Sequence, residues 1–211
     1  MIVKVCGMRD PVNIREVESA GVDWMGFIFY PRSSRYVPSR PGYLPQKAVR
    51  VGVFVDASAE SILERVEEYS LGVVQLHGSE SPEIVRQIRE MLPSWVLIMK
   101  AFNILDPSDL EYTLKYEGLA DYFLFDTKTS LKGGSGRKFD WDILSNYKGK
   151  VPFLLSGGIG PEDADAVLCF SHPKFAGIDL NSRFETSPAL KDAGLVGEFL
   201  AKLSHFKHFE P

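Results

Sequence analysis

Side chains able to do chemistry recur at one kind of place in this 211-residue chain: the end of a short apolar run, or the few residues behind it. Cys6 closes IVKVC just before Gly7, and strand alternation puts Lys4 on its face. A neighbouring ammonium lowers a thiol from its unperturbed value of about 8.5, which suits a base or nucleophile. A lone cysteine ending an apolar strand is also, and more often, a small buried hydrophobe. Asp126 closes YFLFD on the face of Tyr122 and Leu124. A carboxyl rising from an apolar layer has its pKa raised and serves as a general acid, whereas a surface aspartate there merely caps a loop. Arg32 and Arg35 in YPRSSRY offer guanidinium forks to a carboxylate or phosphate, or else are solvated. Asp56, His77, Lys100 and Asp179 complete the ionisable strand ends.

Glycine is concentrated late, in KGGSG (132–136) and SGGIGPED (156–163). Gly157 and Gly158 allow close approach of backbone to an anion, and Pro161, Glu162 and Asp163 mark a helix starting behind them. Free N–H groups at a helix start bind phosphate; tight turns alone are the plainer use of such glycines. No His or carboxylate cluster has metal-ligand spacing, so no metal is expected. Cys169, inside AVLCF, reads as core packing.

The runs that must position these groups are IVKVC (2–6), WMGFIF (24–29), VRVGVFV (49–55), GVVQLH (72–77), WVLIMK (95–100), DYFLFD (121–126), VPFLLS (151–156) and FAGIDL (175–180). They are nearly continuous in apolar character, as strands buried on both faces are. Helices follow them, with Asp10, Ser81 and Asp106 as caps ahead of Pro11, Pro82 and Pro107. Ile84, Val85, Ile88, Met91 and Leu92 form one apolar stripe; Leu195, Val196, Phe199, Leu200 and Leu203 form another. The second unit, 31–48, holds four prolines and at most a short helix. Eight strand–helix units on this length predict one (β/α)8 TIM barrel of eight parallel strands spanning 1–211, with a short or irregular second helix. An open doubly wound sheet obeys the same alternation, but no G-x-G-x-x-G follows the first strand.

Composition is that of an ordinary globular protein: 45% hydrophobic, 25% charged, with 24 basic against 28 acidic residues. The net charge of −4 argues against general nucleic-acid or anionic-membrane binding. No apolar run approaches the roughly 20 residues that cross a bilayer, and MIVKVCGMRDP does not read as a secretory signal. Two cysteines make no disulfide framework, so a reduced, cytoplasmic setting is expected, with a small-molecule partner and a monomeric or homodimeric state.

Together these stretches resemble the phosphoribosylanthranilate isomerase family of tryptophan biosynthesis. The resemblance runs through KVCGM (4–8), GFIFYPRSSRYV (26–37), VGVFVD (51–56), VQLHGSE (74–80), IMKAF (98–102), LFDT (124–127), GGSGRKFDW (133–141), LLSGGI (154–159) and GIDLNSRFETSPALKD (177–192). It implies a cofactor-independent Amadori rearrangement of an anthranilate-linked ribose phosphate. By that likeness Asp126 is the general acid, Cys6 the general base and Arg35 the holder of the anthranilate carboxylate. Gly157, Gly158, Gly134, Ser182 and Arg183 would surround the phosphate, with Lys4, His77, Lys100 and Asp179 in support. Behind strand 8 the family usually has a Ser-Ser-Gly run, where this chain has Asn181-Ser182-Arg183; Arg183 is read as compensating by charge. The loop at 127–137, with Lys128 and Lys132, reads as a mobile loop able to contact an anion. The histidine-pathway isomerase typically has aspartate where Cys6 stands. A ribulose-phosphate epimerase would need more histidine ligands than His77, and an inactive barrel would have no need of both Cys6 and Asp126.

Overall fold

A computed structural model describes residues 1–126 and 141–205. Eight parallel strands close into a barrel: β1 (Ile2–Cys6), β2 (Trp24–Ile28), β3 (Val49–Phe54), β4 (Val73–Leu76), β5 (Leu97–Asn103), β6 (Tyr122–Asp126), β7 (Phe153–Ser156) and β8 (Phe175–Leu180). Closure comes from β1 pairing with β2 on one side and β8 on the other, in a register that sets Ile2 against Gly177 and Lys4 against Asp179. The eight-unit expectation holds, and the open sheet does not. Among the described residues no helix is long and apolar enough to cross a membrane.

The caps act where the sequence put them. Asp10 accepts from the backbone N–H groups of Val12 and Asn13 at the start of α1 (Pro11–Ser19). Helices α2 (Ala59–Tyr69), α3 (Pro82–Met91) and α4 (Pro107–Thr113) start on Ser58, Ser81 and Asp106; α5 (Ala164–Cys169) and α6 (Ala193–His205) complete the layer. Two stripes are narrower than expected. Val85, Ile88 and Leu92 are buried under α3, while Ile84 and Met91 stay exposed. In α6, Val196, Phe199 and Leu203 are buried, with Leu195 and Leu200 only partly so. Cys169 is exposed, not core: α5 is one short element whose buried side is Ala164 and Val167.

Unit 2 contains no helix. Its prolines preclude one, and the segment is fastened by Glu18 of α1 instead. That carboxylate accepts from the backbone N–H of Gln46 and Lys47, each at 2.6 Å, and from the Tyr43 hydroxyl at 2.5 Å. Among its described residues unit 6 has a 3-10 stretch (Trp141–Asn146) and no α-helix. Behind β8 a small hairpin, β9 (Glu185–Ser187) and β10 (Leu190–Lys191), leads into α6.

Inside the barrel, Trp24, Val51, Val73, Met99, Leu124 and Leu154 make an apolar floor, with Trp24 edge-on to Tyr122 at 5.3 Å. Climbing β1, the inward positions pass from Ile2 through Lys4 to Cys6, from this floor to the mouth. The seam of the barrel is tight. A Cβ on Gly177 would lie 2.1 Å from the Ile2 carbonyl oxygen, a backbone atom with no room to yield. Gly177→Ala is therefore expected to cost about 3 kcal/mol, the upper range for overpacking, read from urea denaturation. An unchanged midpoint would show that the β1–β8 seam adjusts.

Candidate active site

The candidate groups gather at the C-terminal mouth, where barrels of this kind do their chemistry. Cys6 ends β1 and is only 4% exposed. Its Sγ occupies space that Gly26 of β2 leaves: a Cβ there would come within 2.8 Å of the sulfur. Below it, the Lys4 ammonium donates to Asp179 Oδ1 at 2.8 Å, both groups being buried. The predicted lowering of the thiol is corrected. Burial pushes Cys6 above its ordinary value; Lys4 and Lys191 pull it down, and Asp179 pushes it up. Burial opposes the Lys4 charge, yet Asp179 and Cys6 hold the ammonium above its ordinary value. Lys4 is thus already committed to a carboxylate and is only partly available to the sulfur.

Asp126 ends β6, three strands from Cys6 around the barrel, with its carboxyl buried. It lies in register with Asn103 of β5 and Ser156 of β7. His77 follows β4 and sets its Nε2 3.9 Å from Asp126 Oδ2. Its other nitrogen is 2.7 Å from the Gln75 amide nitrogen. As the amide is oriented, Gln75 donates to Nδ1, which puts the imidazole proton on Nε2, facing the carboxylate.

Arg35 is half-buried and spoken for. Its Nε donates to Glu185 Oε1 at 2.8 Å and its Nη2 to Oε2 at 2.6 Å, while Arg32 lies exposed. Gly7, with φ +80°, makes room for it, since a Cβ there would lie 2.6 Å from Arg35 Cδ. Lys191 also donates to Glu185 Oε1, at 2.5 Å, and to Asn181 Oδ1 at 2.8 Å. Neither Glu185 nor Lys191 stood out as a site residue from sequence, because the Arg35 contact spans 150 positions.

Next to β7, Gly157 (φ +107°) and Gly158 (φ +83°) turn the chain left-handed. Such successive turns aim backbone N–H groups into a concavity that suits an anion. They border a cavity of about 150 Å³ that Arg183 also lines. Arg183 donates to Glu162 at 2.6 Å, with both side chains about half exposed, and Ser182 is exposed in the same short turn. Lys100, in contrast, is not in this assembly. Its neighbours Met99 and Ala101 face the barrel interior, so Lys100 faces outward with Ile98 and Phe102. There its ammonium donates to the Gly78 and Ala101 carbonyls and pairs with buried Glu80 at 3.2 Å. Gly134 and the 127–137 loop lie outside the described residues.

Similarity to known proteins accords with this geometry. The model of the family described as N-(5'-phosphoribosyl)anthranilate (PRA) isomerase matches residues 3–202. An N-(5'-phosphoribosyl)anthranilate isomerase of Phocaeicola vulgatus is 54% identical over 96% of this chain and 98% of its own. One of Parabacteroides distasonis is 50% identical over 97% and 94%. A crystal structure of phosphoribosyl anthranilate isomerase with reduced 1-(o-carboxyphenylamino)-1-deoxyribulose 5-phosphate superposes with a TM-score of 0.79 at 30% identity, covering 97% of this chain and 100% of that one. A closed eight-stranded barrel, a match along nearly its whole length and relatives half identical to it establish that the chain belongs to the N-(5'-phosphoribosyl)anthranilate isomerase family, the isomerases of tryptophan biosynthesis.

Proposed function

We propose that the chain converts N-(5-phosphoribosyl)anthranilate into 1-(o-carboxyphenylamino)-1-deoxyribulose 5-phosphate by an Amadori rearrangement. One observation carries the reading: a buried carboxyl and a buried thiol stand three strands apart on one barrel mouth, and the carboxyl adjoins the glycine turn of β7. Asp126 gives a proton to the furanose ring oxygen as the bond from that oxygen to C1′ breaks, leaving a protonated imine at C1′. The Cys6 thiolate then takes the C2′ proton, and the electron pair moves into the C1′–C2′ bond to neutralise the imine. The enolamine tautomerises to the ketone. C2′ is oxidised as C1′ is reduced, so the rearrangement balances without an outside electron acceptor. Each such proton transfer is worth roughly 10²–10⁴-fold.

Arg35 takes the anthranilate carboxylate. The backbone at Gly157 and Gly158, with Ser182 and Arg183, takes the phosphate. The Arg183–Glu162 pair is too exposed to contribute much to stability, so a charge held there serves a ligand better than the fold.

Steady-state turnover of freshly generated phosphoribosylanthranilate tests the proposal. In the same assay Arg183→Ala is expected to raise KM about fivefold or more, change kcat little and flatten the salt dependence of kcat/KM. Unchanged KM and salt dependence would leave Arg183 outside the phosphate site. A folded but inactive native chain would move the function to another phosphosugar on the same barrel.

A further inference from the structure

The Arg35 guanidinium has five N–H donors, and Glu185 takes two of them, Nε–H and one on Nη2. The fork between Nη1 and Nη2 is left for a second carboxylate. Four donors hold Glu185 itself: Arg35 twice, the Lys191 ammonium, and the backbone N–H of Ala189 at 3.0 Å. Ala189 adopts a left-handed φ of +67° in making that contact, a conformation costly for any residue with a Cβ. The hairpin is in turn bolted to α1, since Asn13 both donates to the Lys191 carbonyl and accepts from its N–H, at 2.7 and 2.8 Å. Neither the carboxylate nor its brace is a surface feature: the Glu185 side chain is 5% exposed and that of Lys191 is fully buried.

Charge within this cluster points to its ligand. Burial pushes Glu185 up, but Arg35 and Lys191 outweigh it and hold the carboxyl down at about 2, so it is ionised. One carboxylate then faces two cations, Arg35 and Lys191, while Lys4 and Asp179 next to them cancel. With the Cys6 thiol protonated, the half-buried cluster carries one uncompensated positive charge. A second carboxylate on the open Arg35 fork neutralises it, and Glu185 keeps that fork from turning away.

We propose that Glu185, braced by Lys191, is a positioning residue that fixes Arg35 for the substrate carboxylate and thereby sets the preference of the site for carboxylate-bearing aryl amines. The proposal rests on the assignment of Arg35 made above and adds to it the element that makes the clamp rigid. Arg–carboxylate recognition is bidentate and directional, so an unbraced guanidinium loses selectivity before it loses charge.

The test compares two substrates made by condensing ribose 5-phosphate with anthranilate or with aniline, the second lacking only the carboxylate. The expected result is a native enzyme that prefers the anthranilate compound in kcat/KM, and a Glu185→Gln variant in which that preference shrinks about tenfold, the loss lying in KM and not in kcat. Glu185→Asp keeps a charge opposite Lys191 but is one methylene too short to reach both Arg35 nitrogens. It is expected to lose the preference as well, and it carries the test should the glutamine variant not fold. Equal losses on both substrates, or no loss on either, would overturn the positioning role. A native enzyme with no preference would sink the Arg35 assignment itself, and one inactive on both compounds would sink the isomerase proposal, so the three failures are distinguishable.

Discussion

Asp126→Asn is expected to lower kcat for phosphoribosylanthranilate by about 10³-fold, within the 10²–10⁴ range for loss of a positioned acid, while far-UV circular dichroism and the thermal midpoint stay close to native. The carboxamide fills the same volume at the end of β6 and retains a polar oxygen for its neighbours, so packing gives no reason for collapse. It has no proton that it can surrender to a ring oxygen at neutral pH. His77 is a rival for the role: its Nε2 lies 3.9 Å from Asp126 Oδ2 and, as Gln75 is oriented, carries the imidazole proton. The two are separable. If Asp126 is the acid, His77→Asn lowers kcat far less than Asp126→Asn; if the losses are reversed, the imidazole gives the proton and the carboxylate only orients it. A variant Asp126→Asn with a tenth of native turnover would end the assignment.

How much of this site was legible beforehand depends on how local its signals are. Cys6, Asp126 and the Gly157–Gly158 turn stand out as candidates by position, because a strand end is a feature of a few consecutive residues, and their roles come only with the family resemblance. The caps at Asp10, Ser81 and Asp106 were equally local, and each holds its helix as expected. Lys100 was misplaced for a physical reason. β5 is apolar on both faces, so nothing in IMKAF says which parity looks inward until the neighbouring strands are in register. The thiol was misjudged because pairing was visible and burial was not. Lys4 sits two residues from Cys6 and is easily read as its partner, but Asp179, which claims Lys4, arrives from the far end of the chain across the closing seam. The Glu185 brace on Arg35 is long-range in the same way and has no sequence pattern of its own.

The thiol correction has a direct kinetic consequence. Cys6→Ser is expected to lower kcat/KM by about 10³-fold or more, since a buried hydroxyl is a far weaker acid than a thiol and yields almost no alkoxide to take the C2′ proton. In the native enzyme, burial raises the Cys6 pKa, so at neutral pH most of the thiol is protonated. The reactive fraction then grows tenfold per pH unit until the thiol titrates, and the rate at which iodoacetamide alkylates Cys6, followed on its own peptide and independent of any acid partner, is expected to climb with unit slope through the neutral range into the alkaline. An alkylation rate flat from pH 6 to 9 would exclude a thiolate formed by that titration. The neighbours give the sign of two further displacements. Asp179 pushes the thiol up, so Asp179→Asn moves the rising limb to lower pH; Lys4 pulls it down, so Lys4→Gln moves the limb higher. Each variant strands one buried charge and costs stability, which makes the position of the limb, and not the height of the plateau, the quantity to read. Displacements in opposite directions from two members of one ion pair would follow from their charges acting on the sulfur, whereas shared damage to the barrel would lower both profiles without moving either along the pH axis.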